Sequence, residues 1–299
     1  MSIGSSSAAT RLFILLPVCN RREITTAFVT ALSQQSWRGF TLVLIDDGST
    51  DGTAAAVRAL WPTVEVVTGT GAWWWAGSLH QGCRHLPRLG VTDDDVLLLI
   101  NDDVVIAPRF LEEAMAEMAE TRGTLLLARQ TDAHTGEVID NGGGVHADLR
   151  ELRFNAARTP EEINCLPTRG LFLRWGDLQR AGGFRPRSLP HYLSDYEFTL
   201  RAHRAGMHLR VARTATVGVK AEQTGLADES LLALPRLRRL ALLFSRRFKD
   251  NPWTWSSFAW HTAAPARLPY LLLKIWTHFA IRFWRCLIVP PAPKLKPRA

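Results

Sequence analysis

The sequence predicts an α/β fold built on a mostly parallel β-sheet that is flanked by helices. Segments typical of strands and of helices alternate through the first 70 residues, which indicates parallel strands joined by right-handed crossovers. The strand-like segment 96–100 is short and continuously apolar, as is typical of a strand that is covered on both faces. Two of these strands end in paired aspartates, at the edge of the sheet where ligands bind in such folds.

The strands and helices can be placed in order along the chain. Pro17 is expected to end the first strand, because proline lacks the N–H that a sheet requires. Ser49, Thr50 and Asp51 are typical N-cap residues and are expected to begin the helix after the second strand. The predicted strands are 12–16, 42–45, 63–68, 96–100 and 171–173, and the predicted helices are 22–35, one that runs to about 60, 108–119, 194–206 and 268–289.

The charge of the chain is unevenly distributed along its 299 residues. Residues 231–299 hold 13 Lys or Arg and a single acid, Asp250, so this part carries a formal charge of +12. The total is +8, so residues 1–230 carry −4. A strongly basic segment attached to a mildly acidic domain favours contact with a polyanion, either nucleic acid or anionic lipid. No nucleic-acid-binding motif accompanies the charge, so we expect no nucleic-acid partner.

The basic segment is predicted to contain a helix that lies on a membrane surface. Lys274, His278, Arg282 and Arg285 are spaced 4, 4 and 3 apart, which places them on one helical face. No stretch reaches the ~18 uncharged apolar residues of a confident membrane span. Basic and aromatic residues on such a helix favour the headgroup plane of an anionic membrane. The alternative is a helical domain packed on the core, with its arginines outward. The tryptophans that suit the membrane interface are Trp253, Trp255, Trp260, Trp276 and Trp284.

The ends of the chain and its cysteines indicate a cytoplasmic protein. Residues 1–10 are small and polar and lack the pattern of a signal peptide, and we expect them, like residues 290–299, to be disordered. The cysteines are far apart and have no metal-binding spacing, so we interpret them as reduced thiols with no zinc site. They are Cys19, Cys83, Cys165 and Cys286.

Of the two strands that end in paired aspartates, the later one is the apolar segment 96–100, which Asn101-Asp102-Asp103 directly follows. Adjacent carboxylates repel each other, and a hard divalent cation bound through oxygen is a common reason to keep them together. The alternative is a solvated turn between a strand and a helix. A dinucleotide site is disfavoured, because the turn after the first strand has no G-x-G-x-x-G pattern, and a Walker lysine is absent as well.

Several motifs in order make the chain resemble the family 2 inverting glycosyltransferases of GT-A fold. The resemblance covers about residues 11–220 and implies a Rossmann-like GT-A domain over 11–230, followed by a helical extension over 231–299. The motif at 190–202 is most similar to the rhamnosyltransferase-like branch. The motifs are 16–20 (LPVCN), 46–53 (DDGSTDGT), 71–77 (GAWWWAG), 101–103 (NDD), 182–184 (GGF) and 190–202 (PHYLSDYEFTLRA).

The resemblance implies a site for the base and ribose of a nucleotide-sugar donor. An ionised carboxylate is an acceptor only, so it suits the N–H of a pyrimidine base. The alternative for the two aspartates of this site is turn and helix-cap chemistry. For Cys19, the alternative is a small buried thiol. The implied donor-site residues are Pro17, Cys19, Asp46 and Asp47.

The resemblance also implies a cation site beside the donor diphosphate. Asp103 would bind Mg²⁺ or Mn²⁺, Asp102 would contact the ribose or a metal-bound water, and Gly77 belongs to the loop near the sugar diphosphate. Because Asn101 replaces a carboxylate, we expect tight cation binding only when the nucleotide supplies phosphate oxygens.

The acceptor side is expected at the start of the helix that follows residue 193. Inversion needs a base that takes the proton of the acceptor hydroxyl, and Asp195 and Glu197 are the candidates. Ser194 and Glu197 fit a capping box, which favours Asp195 as the base and Glu197 as a cap or supporting residue. The helix dipole is expected to keep Asp195 ionised. The other residues expected near the acceptor are Trp74, Trp75, Arg169, His191 and Tyr192.

The sequence as a whole favours an inverting, metal-dependent glycosyltransferase at the inner face of the cell membrane. It would move a sugar from a UDP or dTDP donor to a lipid-linked or cell-surface polysaccharide acceptor. One alternative is a non-catalytic membrane adaptor that keeps the fold. The other is a nucleotidyltransferase of related fold, which typically carries a glycine-rich basic loop that this sequence lacks.

Overall fold

A computed structural model describes residues 10–220, 234–246 and 248–289 of the chain. Apart from Thr10, the two ends expected to be disordered lie outside the described residues, and so does the expected domain boundary at 230/231. The described strands are β1 (Leu12–Val18), β2 (Phe40–Asp46), β3 (Glu65–Thr68), β4 (Val96–Leu99), β5 (Val104–Ile106), β6 (Thr124–Asp132), β7 (Val145–Asp148), β8 (Arg153–Ala156), β9 (Leu171–Arg174) and β10 (His208–Val219).

The described α-helices lie between and after these strands. They are α1 (Arg22–Ser33), α2 (Thr53–Leu60), α3 (Trp74–His85), α4 (Phe110–Ala119), α5 (Trp175–Ala181), α6 (Ser194–Arg204), α7 (Arg236–Leu243), α8 (Pro252–Thr262) and α9 (Leu268–Ile288).

The central sheet confirms the predicted α/β architecture. Its eight described strands run in the order β3-β2-β1-β4-β9-β6-β10-β5. The neighbours β3, β2, β1 and β4 are parallel, β9 is antiparallel to both of its neighbours, and β5 is an antiparallel edge strand. A separate hairpin pairs β7 with β8. Because β2 and β4 flank β1 in parallel, the segments that follow β1, β2 and β4 meet at one edge of the sheet.

Strand β1 shows why the central strands are continuously apolar. Leu12, Ile14 and Leu16 pack into a core on one face of the sheet, while Phe13 and Leu15 pack into a second core on the other face. Side chains alternate across a strand, so a strand covered by helices on both faces needs an apolar residue at every position.

The expectation that Pro17 ends the first strand is wrong, since β1 continues to Val18 and Pro17 pairs with Ile45. The carbonyl of Val18 accepts from Asp47 N–H on the β2 side, and that of Leu15 accepts from Ile100 N–H on the β4 side. The backbone of Pro17 faces the same side as that of Leu15, beyond the last pair of β4. The missing N–H of proline therefore breaks no ladder hydrogen bond there.

The predicted cap of α2 is also wrong in detail. The N-cap residue is Gly52, with φ of 80°, and no side chain caps the helix. Asp51 accepts instead from Thr53 N–H at 3.0 Å and from Arg22 N–H at 2.9 Å. The carboxylate thus joins the first turn of α2 to the first turn of α1, beside the sheet edge.

The described part of the C-terminal segment is helical and contacts the sheet domain. Phe258 of α8 is fully buried in a cluster with Leu200 of α6. Lys274 of α9 contacts Glu151 in the turn between β7 and β8, with Nζ 2.5 Å from the carboxylate. Among the described helices, none has both the length and the apolarity needed to cross a membrane.

Candidate functional site

The two predicted acidic segments lie together at the carboxyl edge of the sheet. Asp46 ends β2 and Asp47 follows it, while Asn101 to Asp103 follow β4; the two strands lie on either side of β1. The parallel register pairs Val18 with Asp46 and Leu15 with Leu99. This edge is where a parallel sheet presents its loops to a ligand.

The carboxylates of Asp46 and Asp47 are buried and accept hydrogen bonds from the backbone. Asp46 accepts from Ser49 N–H at 2.8 Å. Asp47 accepts from Gly71 N–H at 2.8 Å, Trp73 N–H at 2.9 Å and Trp74 N–H at 3.0 Å. Asp47 therefore holds the loop before α3 in place.

The loop after β1 is tied to the loop after β2. Asn20 accepts from Thr50 N–H at 2.8 Å, and its own N–H donates to the Ser49 hydroxyl at 2.8 Å. Cys19 is exposed at the start of this loop, and Pro17 is buried in β1. The thiol is thus accessible from solvent, whereas the buried-thiol alternative for Cys19 is wrong.

Asp102 is the buried member of the second acidic segment. Its carboxylate accepts from the Thr25 hydroxyl at 2.7 Å and from Arg21 Nε at 3.2 Å. Burial raises the pKa of Asp102, and the contacts with Thr25 and Arg21 oppose that rise. Asp102 thereby connects the end of β4 to the first turn of α1.

Arg21 is the site residue that sequence reasoning missed. Its guanidinium lies 3.0 Å from a carboxylate oxygen of Asp102 and 3.0 Å from one of Asp103. Arg21 and Thr25 are four residues apart, so both project from one side of the start of α1. The four-residue spacing of Arg21 and Thr25, directly after β1, which pairs with β4, is the signal that could have identified Arg21.

The end of β4 offers oxygen ligands that suit a hard cation. The side chain of Asp103 is 23% exposed, and the buried Oδ1 of Asn101 has no hydrogen-bond partner among the described residues. Carboxylate and amide oxygens are ligands that Mg²⁺ and Mn²⁺ accept. The described ranges contain no cluster of three His, Cys, Asp or Glu residues arranged for a metal. The residues therefore fit a cation that takes its remaining ligands from a bound phosphate.

The three adjacent tryptophans lie half-buried at the start of α3. Trp74 has φ of 59°, an unfavourable conformation for a bulky residue, and its ring centroid lies 5.6 Å from that of His191. Trp75 Nε1 donates to the Thr168 hydroxyl at 3.2 Å. Gly77 is buried, and a Cβ there would lie 3.0 Å from the Cβ of Trp73. The absence of a side chain at Gly77 therefore serves the packing of Trp73.

The loop before α6 brings His191 and Tyr192 beside these tryptophans. Pro190 O accepts from Ala76 N–H at 2.9 Å, and the rings of His191 and Tyr192 are 4.4 Å apart. Leu193 has φ of 64°, so this loop and the tryptophan loop each hold a non-glycine residue in the left-handed region. Such backbone strain concentrates at functional sites.

The capping box predicted for α6 is wrong. The N-cap residue is Leu193, no side chain caps the helix, and the Ser194 hydroxyl donates to His191 O at 2.7 Å. Because Leu193 is left-handed, Ser194 is the first helical residue and lies too late to cap it.

Glu197 is bound by arginines instead of the helix end. It is 2% exposed and accepts two hydrogen bonds from Arg201, at 2.9 Å each, while Arg185 Nε lies 3.1 Å away. Both carboxylate oxygens are engaged, so Glu197 is poorly placed to accept a proton from a substrate. This geometry favours Asp195 over Glu197 as the base.

We expect Glu197→Gln to destabilise the fold. Removing one partner of a buried ion pair leaves the others uncompensated, which costs on the order of 3 kcal/mol. Urea denaturation should show this loss, whereas the exposed pair of Asp94 and Arg122 provides the control, Asp94→Asn, with little change. An unchanged unfolding midpoint for Glu197→Gln would contradict the structural role of Glu197.

Asp195 lies partly buried on the first turn of α6 and takes part in no salt bridge with the described residues. It accepts from Tyr196 N–H at 2.9 Å. Burial raises the pKa of Asp195, and backbone N–H groups and the positive charge of Arg169 oppose the rise. For the pKa of Asp195, desolvation thus outweighs the first-turn amides that were expected to favour the ionised carboxylate.

The surroundings of Asp195 include the predicted Arg169. Its charge acts on both Asp195 and Tyr196, and Gly170 N–H, next in the chain, donates to Leu99 O at 3.0 Å. Burial together with the charge of Asp195 raises the pKa of Tyr196 and of Cys165. Arg169 therefore acts electrostatically on the carboxylate of α6, and its neighbour Gly170 is bonded to the end of β4.

Solved structures with a similar fold include a mannosyltransferase and other proteins in complex with nucleotides or nucleotide sugars. The mannosyltransferase PcManGT from Pyrobaculum calidifontis, in complex with GDP-Man and Mn²⁺, is 16% identical, with a TM-score of 0.56 over 94% of this chain and 87% of that chain. TarS 1–349 from S. aureus, in complex with UDP-GlcNAc, is 13% identical, with a TM-score of 0.58 over 93% of this chain and 90% of that one. GalNAc-T7 with UDP, GalNAc and Mn²⁺ is 12% identical, with a TM-score of 0.59 over 95% and 59%.

These likenesses confirm the predicted GT-A type of α/β fold. No sequence among curated proteins matches the chain. Residues 96–291 match the model of Glycosyl transferase family group 2. The model of Glycosyl transferase family 2 matches residues 13–165, which is just over half of the 299 residues. The chain therefore belongs to glycosyl transferase family 2.

Proposed function

We propose that this protein is an inverting glycosyltransferase that uses Asp195 as its base and acts at the inner face of the cell membrane. The carrying observation is the contrast within α6: Glu197 is saturated by Arg201 and Arg185, while Asp195 takes part in no salt bridge with the described residues and accepts from Tyr196 N–H. The acceptor would be lipid-linked or a cell-surface polysaccharide.

The residues divide the reaction between the two sides of the site. The acceptor hydroxyl oxygen would bond to the anomeric carbon as the bond to the diphosphate breaks, and Asp195 would take the hydroxyl proton. Arg169 would bear on Asp195 electrostatically, while Trp74, Trp75, His191 and Tyr192 would shape the acceptor side. Pro17, Cys19, Asp46 and Asp102 would border the donor, with Asp47 and Gly77 supporting its loop.

The cation side of the proposal rests on Asp103. Asp103, with the donor's phosphate oxygens, would hold Mg²⁺ or Mn²⁺, and Arg21 would balance the charge of Asp102 beside it. Such a cation would neutralise charge on the leaving diphosphate. Two of the similar structures contain Mn²⁺, which supports the choice of metal.

The donor class can be tested by a screen that needs no known acceptor. UDP-, dTDP- and GDP-sugars would be incubated with Mg²⁺ or Mn²⁺, and release of the matching nucleoside diphosphate would be measured. The rhamnosyltransferase-like motif makes dTDP-sugars a first choice, and the UDP-GlcNAc and GDP-Man complexes of similar proteins add those two donors. Release from one donor class, with water taking the sugar in place of the acceptor, supports the proposal. Binding without release from any donor, even after a membrane lipid extract is added as a source of acceptor, would favour the non-catalytic adaptor.

Membrane association is supported by an exposed apolar face on α9. Leu273, Trp276, Ile281, Trp284 and Ile288 are each at least 40% exposed. At 100° per residue, these positions fall on one side of the helix. Large apolar side chains gathered on one exposed face are typical of an interaction surface, and tryptophan suits the membrane interface.

This face differs from the basic stripe predicted to meet the headgroups. Lys274 and Arg282 are in ion pairs with Glu151 and Asp250 and lie on the flank of α9 that faces the sheet domain. The alternative of a helical domain packed on the core with its arginines outward does not describe Arg282 either, since the side chain of Arg282 is only 29% exposed. We therefore place the apolar face, and not the basic stripe, against the bilayer.

Replacing both Trp276 and Trp284 by Ser should weaken binding to phosphatidylglycerol vesicles more than tenfold, because each tryptophan buries a large apolar area. Flotation with vesicles measures this partition. Leu60→Ser removes an exposed apolar residue from α2 and is the control that should bind as the wild type does. Full binding by the double variant would refute the assignment of this face.

A further inference from the structure

A cavity of about 510 Å³ lies between α9 and the turn that joins β7 to β8. One wall is formed by Glu151, Leu152 and Arg153, and the other by the flank of α9 from Lys274 to Arg285. The lining of the cavity contains no residue of the two acidic segments at the edge of the sheet.

The charged groups of the cavity leave an excess of positive charge. Lys274 Nζ lies 2.5 Å from Glu151, and Arg282 forms an ion pair with Asp250. Arg153 and Arg285 also line the cavity, and neither is in a salt bridge with any residue of the described ranges. Two exposed guanidinium groups thus remain to bind an anion, and the planar guanidinium suits phosphate oxygens.

The rest of the lining is apolar and aromatic. Trp255, Ile275 and Phe279 contribute to it, and so does Ile281, which is 54% exposed and also belongs to the apolar face of α9. The cavity is therefore continuous with the surface proposed to meet the bilayer. A ligand that fits both parts carries an anionic group next to an apolar chain.

The lining of the cavity also packs towards the acceptor side of the site. The ring of Trp255 lies 5.9 Å from that of Phe154, and Phe154 lies 4.8 Å from Tyr196, which adjoins Asp195. Asp250 is close enough to Tyr192 to raise the pKa of its hydroxyl, after the larger effect of burial. One wall of the cavity thus packs against the helix that carries the candidate base.

We propose that this cavity binds the phosphate or diphosphate group of a lipid-linked acceptor through Arg153 and Arg285. The lipid chain would leave along Ile281 and the apolar face of α9, and the sugar would extend past Phe154 towards Asp195. This inference rests on the proposed function and specifies its acceptor as an amphipathic lipid phosphate rather than a soluble polysaccharide.

The test is a binding measurement that requires no turnover. Calorimetry would compare geranyl diphosphate with inorganic pyrophosphate, using the full chain. The variant Arg153→Gln/Arg285→Gln removes two cavity charges, and Arg238→Gln/Arg267→Gln removes two exposed charges elsewhere in the described residues. The variant Arg153→Lys/Arg285→Lys keeps the charge and shows whether any loss reflects misfolding.

We expect the cavity variant to bind geranyl diphosphate at least tenfold more weakly than the wild type does. The control variant should stay within about twofold, the lysine variant should recover part of the affinity, and pyrophosphate should bind at least tenfold more weakly than geranyl diphosphate because it lacks the apolar chain. Equal losses in the cavity and control variants would show a bulk charge effect and overturn the proposal.

Pyrophosphate binding as tight as that of geranyl diphosphate would indicate a site for free phosphate and would also overturn it. The donor screen reports independently on catalysis, because it measures nucleotide release rather than lipid binding. A positive screen with no effect of the cavity variant on lipid binding would reject this inference and leave the proposed function standing.

Discussion

Asp195→Asn is expected to reduce turnover by about 10²–10⁴-fold, the range of a lost general base. Asn keeps the shape and the oxygen that accepts from Tyr196 N–H, but it cannot take the acceptor proton. Donor affinity, measured by calorimetry with Mn²⁺, should be unchanged, because Asp195 lies on the acceptor side. Turnover within a fewfold of the wild type would remove Asp195 from the mechanism.

The stability of Asp195→Asn should separate a lost base from a damaged fold. The folded-state pKa of Asp195 is raised by burial, so its ionisation costs stability as pH rises through that pKa. The protonated side chain of Asp195 contributes its full stabilisation at pH values below the pKa of this group in the unfolded chain. That contribution is lost at pH values above its pKa in the folded protein. At pH 7 the Asn variant should therefore be as stable as the wild type in urea or more stable, unlike Glu197→Gln.

The pH dependence of kcat/KM follows from the same group. Only the ionised carboxylate accepts a proton, so kcat/KM should fall as pH drops through the pKa of Asp195 in the free enzyme. Since burial raises that pKa, the fall should begin above the pH at which an exposed aspartate titrates. An acid limb confined to the ordinary aspartate range would show that another group is limiting.

Asp103→Ala is expected to abolish the gain in donor affinity that Mn²⁺ confers. The Asn101 amide and the buried Asp102, which is held by Arg21 and Thr25, leave Asp103 as the accessible carboxylate of this segment. Calorimetry of the nucleotide found in the donor screen, with and without Mn²⁺, measures the difference. In the wild type we expect Mn²⁺ alone to bind weakly, because Arg21 already offsets one of the two negative charges of the segment.

The matched control for Asp103→Ala is Asp94→Ala, at the opposite end of the same strand. Asp94 forms an exposed ion pair with Arg122, so its loss should change neither stability nor the effect of Mn²⁺ appreciably. If Asp103→Ala keeps the full effect of Mn²⁺, the cation is held elsewhere and the assignment of Asp103 fails.

The sheet and its acidic edge could be predicted from sequence because they depend on local patterns. Leu12 to Leu16 are all apolar, which requires a strand covered on both faces, and parallel strands bring the residues after β2 and β4 to one edge. The contact of Arg21 with Asp102 and Asp103 joins residues about 80 positions apart. The four-residue spacing of Arg21 and Thr25 shows that they share a face of α1, but the partners of that face depend on how α1 packs against the end of β4.

The start of α6 shows how a local pattern can mislead. Ser194 and Glu197 have the spacing of a capping box, but Leu193 adopts the left-handed conformation and moves the helix start by one residue. Glu197 then meets Arg185 and Arg201, and the first of these comes from outside the helix. The tertiary ion pairs outweigh a cap that contributes only about 1 kcal/mol.

The sequence also could not predict whether the basic stripe of α9 faces the sheet domain or the solvent. Helical spacing places Lys274 and Arg282 on the same side, but it cannot say which side faces the domain. Glu151 and Asp250, from the β7–β8 turn and from the segment before α8, fix that choice by pairing with them.

The anomeric configuration of the product tests the central proposal most directly. With the donor identified by the screen, the product formed by the wild-type enzyme would be analysed by NMR for the coupling constant at the anomeric centre. A single displacement assisted by Asp195 predicts a configuration opposite to that of the donor. A product that retains the donor configuration would contradict the assignment of Asp195 as the base of an inverting transfer.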